Sequence, residues 1–146
     1  MIGEKKGSVF VPALTQLPIF AGGFEVGTKT PTYATLTFGN DSGWYMPPTQ
    51  AERVKLTVNN ATFGDMDTGP ILTARIANNS LYLLERVPVS VLLYDASNTV
   101  IGASETIIDR LEAGKQETVV FTWQRPFEVP VVVKDIQPRF NPFSIR

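Results

Sequence analysis

Residues 87–123 read VPVSVLLYDASNTVIGASETIIDRLEAGKQETVVFTW, and this stretch decides the fold. An apolar run, Val89-Ser90-Val91-Leu92-Leu93-Tyr94, stops at Asp95-Ala96-Ser97-Asn98 and resumes at Val100-Ile101. A polar bend at Glu112-Ala113-Gly114-Lys115 precedes a third run from Thr118 to Trp123. β-Branched and aromatic runs interrupted by Asn, Asp, Ser and Gly predict consecutive antiparallel strands.

Outward from this spine the same alternation continues. Val54, Leu56 and Val58 share one face, and Gly64-Asp65-Met66-Asp67-Thr68-Gly69-Pro70 is a turn. Leu72, Ala74 and Ile76 then point inward, with Thr73 and Arg75 outside. Asn78-Asn79-Ser80 reverses the chain before the inward row Val89, Val91, Leu93. Val119, Phe121 and Trp123 form the next row, and Val131-Val132-Val133 through Ile136 closes the set before Pro138. About six strands at the turn spacing of a sandwich result, and only Ser80 to Glu85 offers a short helical bridge. All-β is the predicted class.

The N-terminal part is less regular. Strand-like runs occur at Ser8–Val11, Ile19-Phe20, Phe24–Val26 and Tyr33–Phe38, with a sharp bend at Gly22-Gly23 and a polar loop at Gly27–Pro31. Such short strands are marginal as a domain, so residues 1–43 read as an additional β segment, a remnant of a preceding sandwich module. Residues 44–52, with Pro47-Pro48, read as a stiff linker. Residues 53–146 form the sandwich with a C-terminal tail.

At Val91-Leu92-Leu93-Tyr94-Asp95 the chain resembles the FxLYD domain, an immunoglobulin-like sandwich of bacterial surfaces. Leu93, Tyr94 and Asp95 match that pattern, and Val91 stands where its Phe belongs. Ala77–Ser80, Ile101–Ser104 and Leu111–Gly114 fit around it, so the likeness covers residues 53–138. The chain is also similar to tandem modules of lipoprotein-like proteins from candidate-phylum bacteria. The resemblance implies an immunoglobulin-like fold, a cell-envelope or extracellular location and a binding or spacing role, with no catalytic residues to carry over. In physical terms, Val91 and Leu93 serve the core, Tyr94 covers an edge, and Asp95 starts a turn by accepting backbone N–H groups.

Composition narrows the chemistry. The 146 residues are 43% hydrophobic and 18% charged, enough for a packed core, with a net charge of −1 that lacks the basic footprint of a nucleic-acid binder. With no Cys and no His, thiolate, imidazole and ordinary zinc chemistry are excluded. No cofactor is expected. The start, Met1–Gly7, has two lysines but no apolar run long enough for a signal peptide, and no stretch is long enough to span a membrane. The chain is expected to be cytoplasmic or a piece of a longer exported protein.

Each candidate for chemistry has a plain structural reading. Asp65 and Asp67 beside glycine supply two oxygens of a calcium loop, but the bidentate Glu is missing and a polar turn is expected, with no metal. Glu105, Asp109 and Glu112 could supply the carboxylate pair of a hydrolase; a solvated charged edge is the simpler reading. Asn40, Asn60 and Asn78 head Asn-x-Ser/Thr sequons, which matter only in a glycosylating pathway. Trp123, Phe127, Phe140 and Phe143, with Arg125, Arg139 and Arg146 nearby, give the C-terminal part an aromatic character suited to core filling or partner binding.

The expectation is therefore a non-enzymatic module whose interaction surface includes Trp44, Tyr45, Phe140 and Phe143. Its partner is a protein or another copy. Two alternatives stand beside it: a self-assembling subunit whose residues 8–38 complete a neighbour's sheet, and a carboxylate hydrolase.

Overall fold

A computed structural model describes residues 3–12, 15–39 and 45–146. It divides into two compact units, Met1–Pro47 and Pro48–Arg146. The boundary falls inside the expected linker, and part of that linker is ordered as a short 3-10 helix, Thr49–Arg53.

Six strands follow: β1 Leu56–Gly64, β2 Ile71–Asn78, β3 Leu84–Tyr94, β4 Val100–Leu111, β5 Gln116–Thr122 and β6 Val133–Pro138. They form two antiparallel sheets, ordered β1-β2-β5 and β4-β3-β6. The chain crosses between sheets after β2, β4 and β5, as in a Greek-key sandwich. Residues 80–82 form bends rather than the helical bridge expected there, and the chain enters β3 at Leu84. Val54 lies just before β1 yet still packs against the core.

The core follows from the period-two alternation of each strand. Leu72, Ala74 and Ile76 of β2 meet Val87, Val89, Val91 and Leu93 of β3, with Val119 and Phe121 of β5 and Ile108 and Leu111 of β4 completing the buried layer. Trp123, placed in the inward row, is half-buried just past the end of β5, against Phe63 and Phe127. After β6 the tail returns to β3: Arg139 N donates to Pro88 O at 2.8 Å, and Leu83 and Arg146 exchange both backbone hydrogen bonds. Pro142 is thereby fully buried, and Phe140 and Ile145 pack on the core.

The N-terminal unit differs from its expectation. Its strand-like runs form no strand among the described residues. Apolar alternation permits a strand, but a strand exists only when its backbone groups find a partner, and short isolated runs do not supply one another with enough. A turn and contacts of Lys5 are found there instead. Gly27 turns at φ +56° with Lys29 N donating to Val26 O at 3.0 Å, while the Lys5 ammonium reaches the Gly22 carbonyl and lies 5.3 Å from the centre of the Phe24 ring.

Candidate functional site

Four places gather side chains of chemical interest within the sandwich. The first is a buried polar hub at the junction of the sheets. Asn78 ends β2 facing inward, where an apolar residue would fit the alternation. Its Nδ2 donates to the carbonyls of Tyr82 (2.8 Å), Leu111 (3.1 Å) and Glu112 (3.2 Å). Its Oδ1 accepts from Ser80 N (3.1 Å) and Ser80 Oγ (2.6 Å). The amide therefore satisfies the carbonyls left over where β4 ends and the next turn begins. Full burial also seals Asn78 from a glycosylating enzyme, which disposes of that sequon as a folded-state acceptor site. Asn60 is exposed, at φ +52° in the β1 bulge, and the Asn40 sequon lies outside the described residues.

The second place is the outer face of the β4-β3-β6 sheet. Glu105 and Ser90 are cross-strand partners, and Ser90 Oγ donates to Glu105 Oε2 at 2.8 Å. The Arg139 guanidinium donates to Ser90 Oγ at 3.0 Å and forms an ion pair with Glu105. Both charged side chains are largely covered, so their attraction is less screened than at an open surface. The carboxylate pair expected from the sequence joined Asp109 to Glu105 or Glu112; here the partners of Glu105 are an arginine and a serine, and Glu112 sits 3.4 Å from Arg110. The residues form a fastener holding the tail to β3 and β4. Their spacing in sequence gave no sign of it, because Ser90, Glu105 and Arg139 meet only through register.

The third place is the pair of acidic turns. Asp65 adopts φ +51°, its carboxylate accepts from Thr68 Oγ1 at 2.7 Å, and its carbonyl accepts from Gly69 N at 3.3 Å. These are turn contacts. Among the described residues no group of three acidic side chains converges on a common point. Asp95 starts the turn as its residue type leads one to expect: its Oδ1 accepts from Ser97 N and Thr99 N, both at 2.8 Å, and closes the β3–β4 hairpin.

The fourth place is the aromatic end of the sandwich. Trp123 and Phe127 meet edge to face at 5.3 Å, and Phe63 lies 6.4 Å from each. Beside them is an open cleft of about 560 Å³ lined by Ile101, Gln124, Arg125 and Val129 among others. The aromatics do not form one platform. Phe140 is packed on the core, Phe143 is exposed on the tail, and Arg146 reaches Glu85 at 3.7 Å. Of the expected interaction residues, Tyr45 and Phe143 are exposed, Phe140 is turned to the core, and Trp44 lies outside the described residues.

A second open cleft, of about 500 Å³, runs between the outer edges of β4 and β5. It is lined by Thr106–Arg110 and Glu117–Val120, with Ile107 and Val120 47% and 49% exposed. No family model matches the chain, and no curated protein matches it either.

Proposed function

We propose that this protein is a non-enzymatic structural or binding module of the cell envelope or extracellular space, mediating protein–protein contact or spacing. One observation carries the reading. The polar side chains that the fold draws together, Asn78, Ser80, Ser90, Glu105, Arg139 and Asp95, hydrogen-bond to one another or to nearby backbone. They are engaged in holding shape, which leaves the work to exposed apolar and aromatic surface such as Tyr45, Val132 and Phe143. The likeness to the FxLYD pattern at Val91–Asp95 supports the envelope setting.

The test is a photo-reactive residue placed at Tyr45 or Phe143 in the native cell, followed by fractionation. Cross-linked protein adducts recovered with the envelope or the medium support the proposal. A chain confined to the cytosolic fraction, or turnover of a substrate by the purified protein, overturns it.

A further inference from the structure

The sandwich has two flanks, and they are finished differently. On the β1–β6 flank, the β1 edge is broken by a bulge between Asn59 and Thr62. Lys134 of β6 bridges to β1, donating to Ala61 O at 3.2 Å with its ammonium 5.3 Å from the centre of the Phe63 ring. β6 is only six residues long and ends in Pro138. Bulges, lysines, prolines and short strands are the devices that stop an edge from recruiting another strand.

The β4–β5 flank is open. Both strands are the outermost members of their sheets, and the cleft between them carries exposed Ile107 and Val120. Trp123 N donates to Pro70 O and Asn78 N to Lys115 O, so the odd-numbered residues of β5 face β2. The backbone N–H and C=O groups of Thr118, Val120 and Thr122 therefore point to the open side, in strand geometry.

The same chain carries a segment suited to that edge. Thr32-Tyr33-Ala34-Thr35-Leu36-Thr37-Phe38 has seven residues, as does β5. Ala34, Leu36 and Phe38 lie in one row and Tyr33, Thr35 and Thr37 in the other. It forms no strand, and Tyr33, Leu36 and Phe38 are 85%, 64% and 75% exposed. Charge sets the direction. The turn end of the cleft carries Asp109 and Glu117, while Arg110 is drawn to Glu112. A strand running parallel to β5 brings Lys29 to that acidic end, whereas the reverse direction would bring Asp41 there.

We propose that residues 32–38 of a second copy of this chain add as a strand, parallel to β5, in the β4–β5 cleft. Main-chain hydrogen bonds to Thr118, Val120 and Thr122 supply the attachment, and the Ala34-Leu36-Phe38 row lies beside Val120 on the outer face of its sheet. Every copy carries one donor and one acceptor, so the contact is head to tail and repeats from copy to copy. The inference deepens the proposed function by naming the partner.

Light scattering on the full chain across a concentration series tests it. The expected mass rises with concentration. Val120→Lys, which charges the cleft at an exposed position, and Leu36→Lys, which charges the donor row, each hold the protein at one chain. Val120→Pro, which removes an N–H facing away from β2, does the same, with circular dichroism confirming the fold of each variant. Mixing Val120→Lys with Leu36→Lys restores a single junction and gives a dimer that grows no further. A peptide of residues 30–39 caps the wild type. One chain at every concentration, or association that survives Leu36→Lys, overturns the proposal while leaving envelope location and partner cross-linking to be judged separately.

Discussion

The side-chain amide of Asn78, at the end of β2, donates to the carbonyl of Leu111, at the end of β4, across 3.1 Å and 33 positions of sequence. A single polar group thus joins the two sheets where an apolar residue would only fill space. Replacing Asn78 with Ala removes a donor to three carbonyls and an acceptor for Ser80. Leaving such buried groups unpaired costs about 1–3 kcal/mol each in the general case, so a loss of roughly 2–4 kcal/mol is expected for the cluster as it relaxes. Urea unfolding would read this as a lower midpoint with an unchanged slope.

The Glu105–Arg139 pair predicts a coupling larger than that of an open surface pair. Arg139→Met leaves Glu105 covered with one serine donor and is expected to destabilise by about 1–3 kcal/mol. Glu105→Gln combined with Arg139→Met should cost less than the sum of the single changes. A double-mutant cycle by chemical denaturation measures the difference, and additive effects would contradict the geometry.

Gly102 is confined by its neighbours. A Cβ there would stand 2.9 Å from Phe127 Cε1, 3.2 Å from Leu93 Cδ1 and 3.3 Å from Trp123 Nε1. Gly102→Ala is therefore expected to destabilise by about 1–3 kcal/mol through overpacking. In a Trp44→Phe background, the fluorescence of Trp123 should change with it, because the displaced rings are its own neighbours.

Asp95 holds the β3–β4 hairpin through two backbone N–H groups. Asp95→Ala should cost about 1–2 kcal/mol, and Asp95→Asn, which keeps an accepting oxygen, clearly less. Thermal unfolding of the two variants side by side would show the order, and equal losses would assign the effect to charge instead.

The strands were legible wherever alternation was backed by turn residues. Leu72-Ala74-Ile76 and Val89-Val91-Leu93 are buried as their period requires, and Asp95 turns the chain where its residue type suggests. Position-by-position reading failed where meaning depended on register. Asn78 reads as a turn residue and Ser90 as an outward strand position, yet both are buried because of residues that reach them from far along the chain. The strand-like character of residues 8–38 was also real as composition, but alternation cannot tell whether a partner is present. The open β4–β5 cleft had no local signature at all, since an edge is a property of sheet order.

The sheet order also constrains the way this sandwich comes into being. The β3–β4 hairpin joins neighbours and can form early, but Ile71 must wait for Thr122, and Val89 must wait for Pro138. Pairings between such distant residues place a domain among the slow folders, on the order of milliseconds to seconds. During synthesis β6 emerges after every strand it has to join, so the flank of β3 stays unsealed until the last part of the sandwich is made. An arrested or truncated chain ending before Val133 would therefore expose that flank as a surface for aggregation, with five strands already complete.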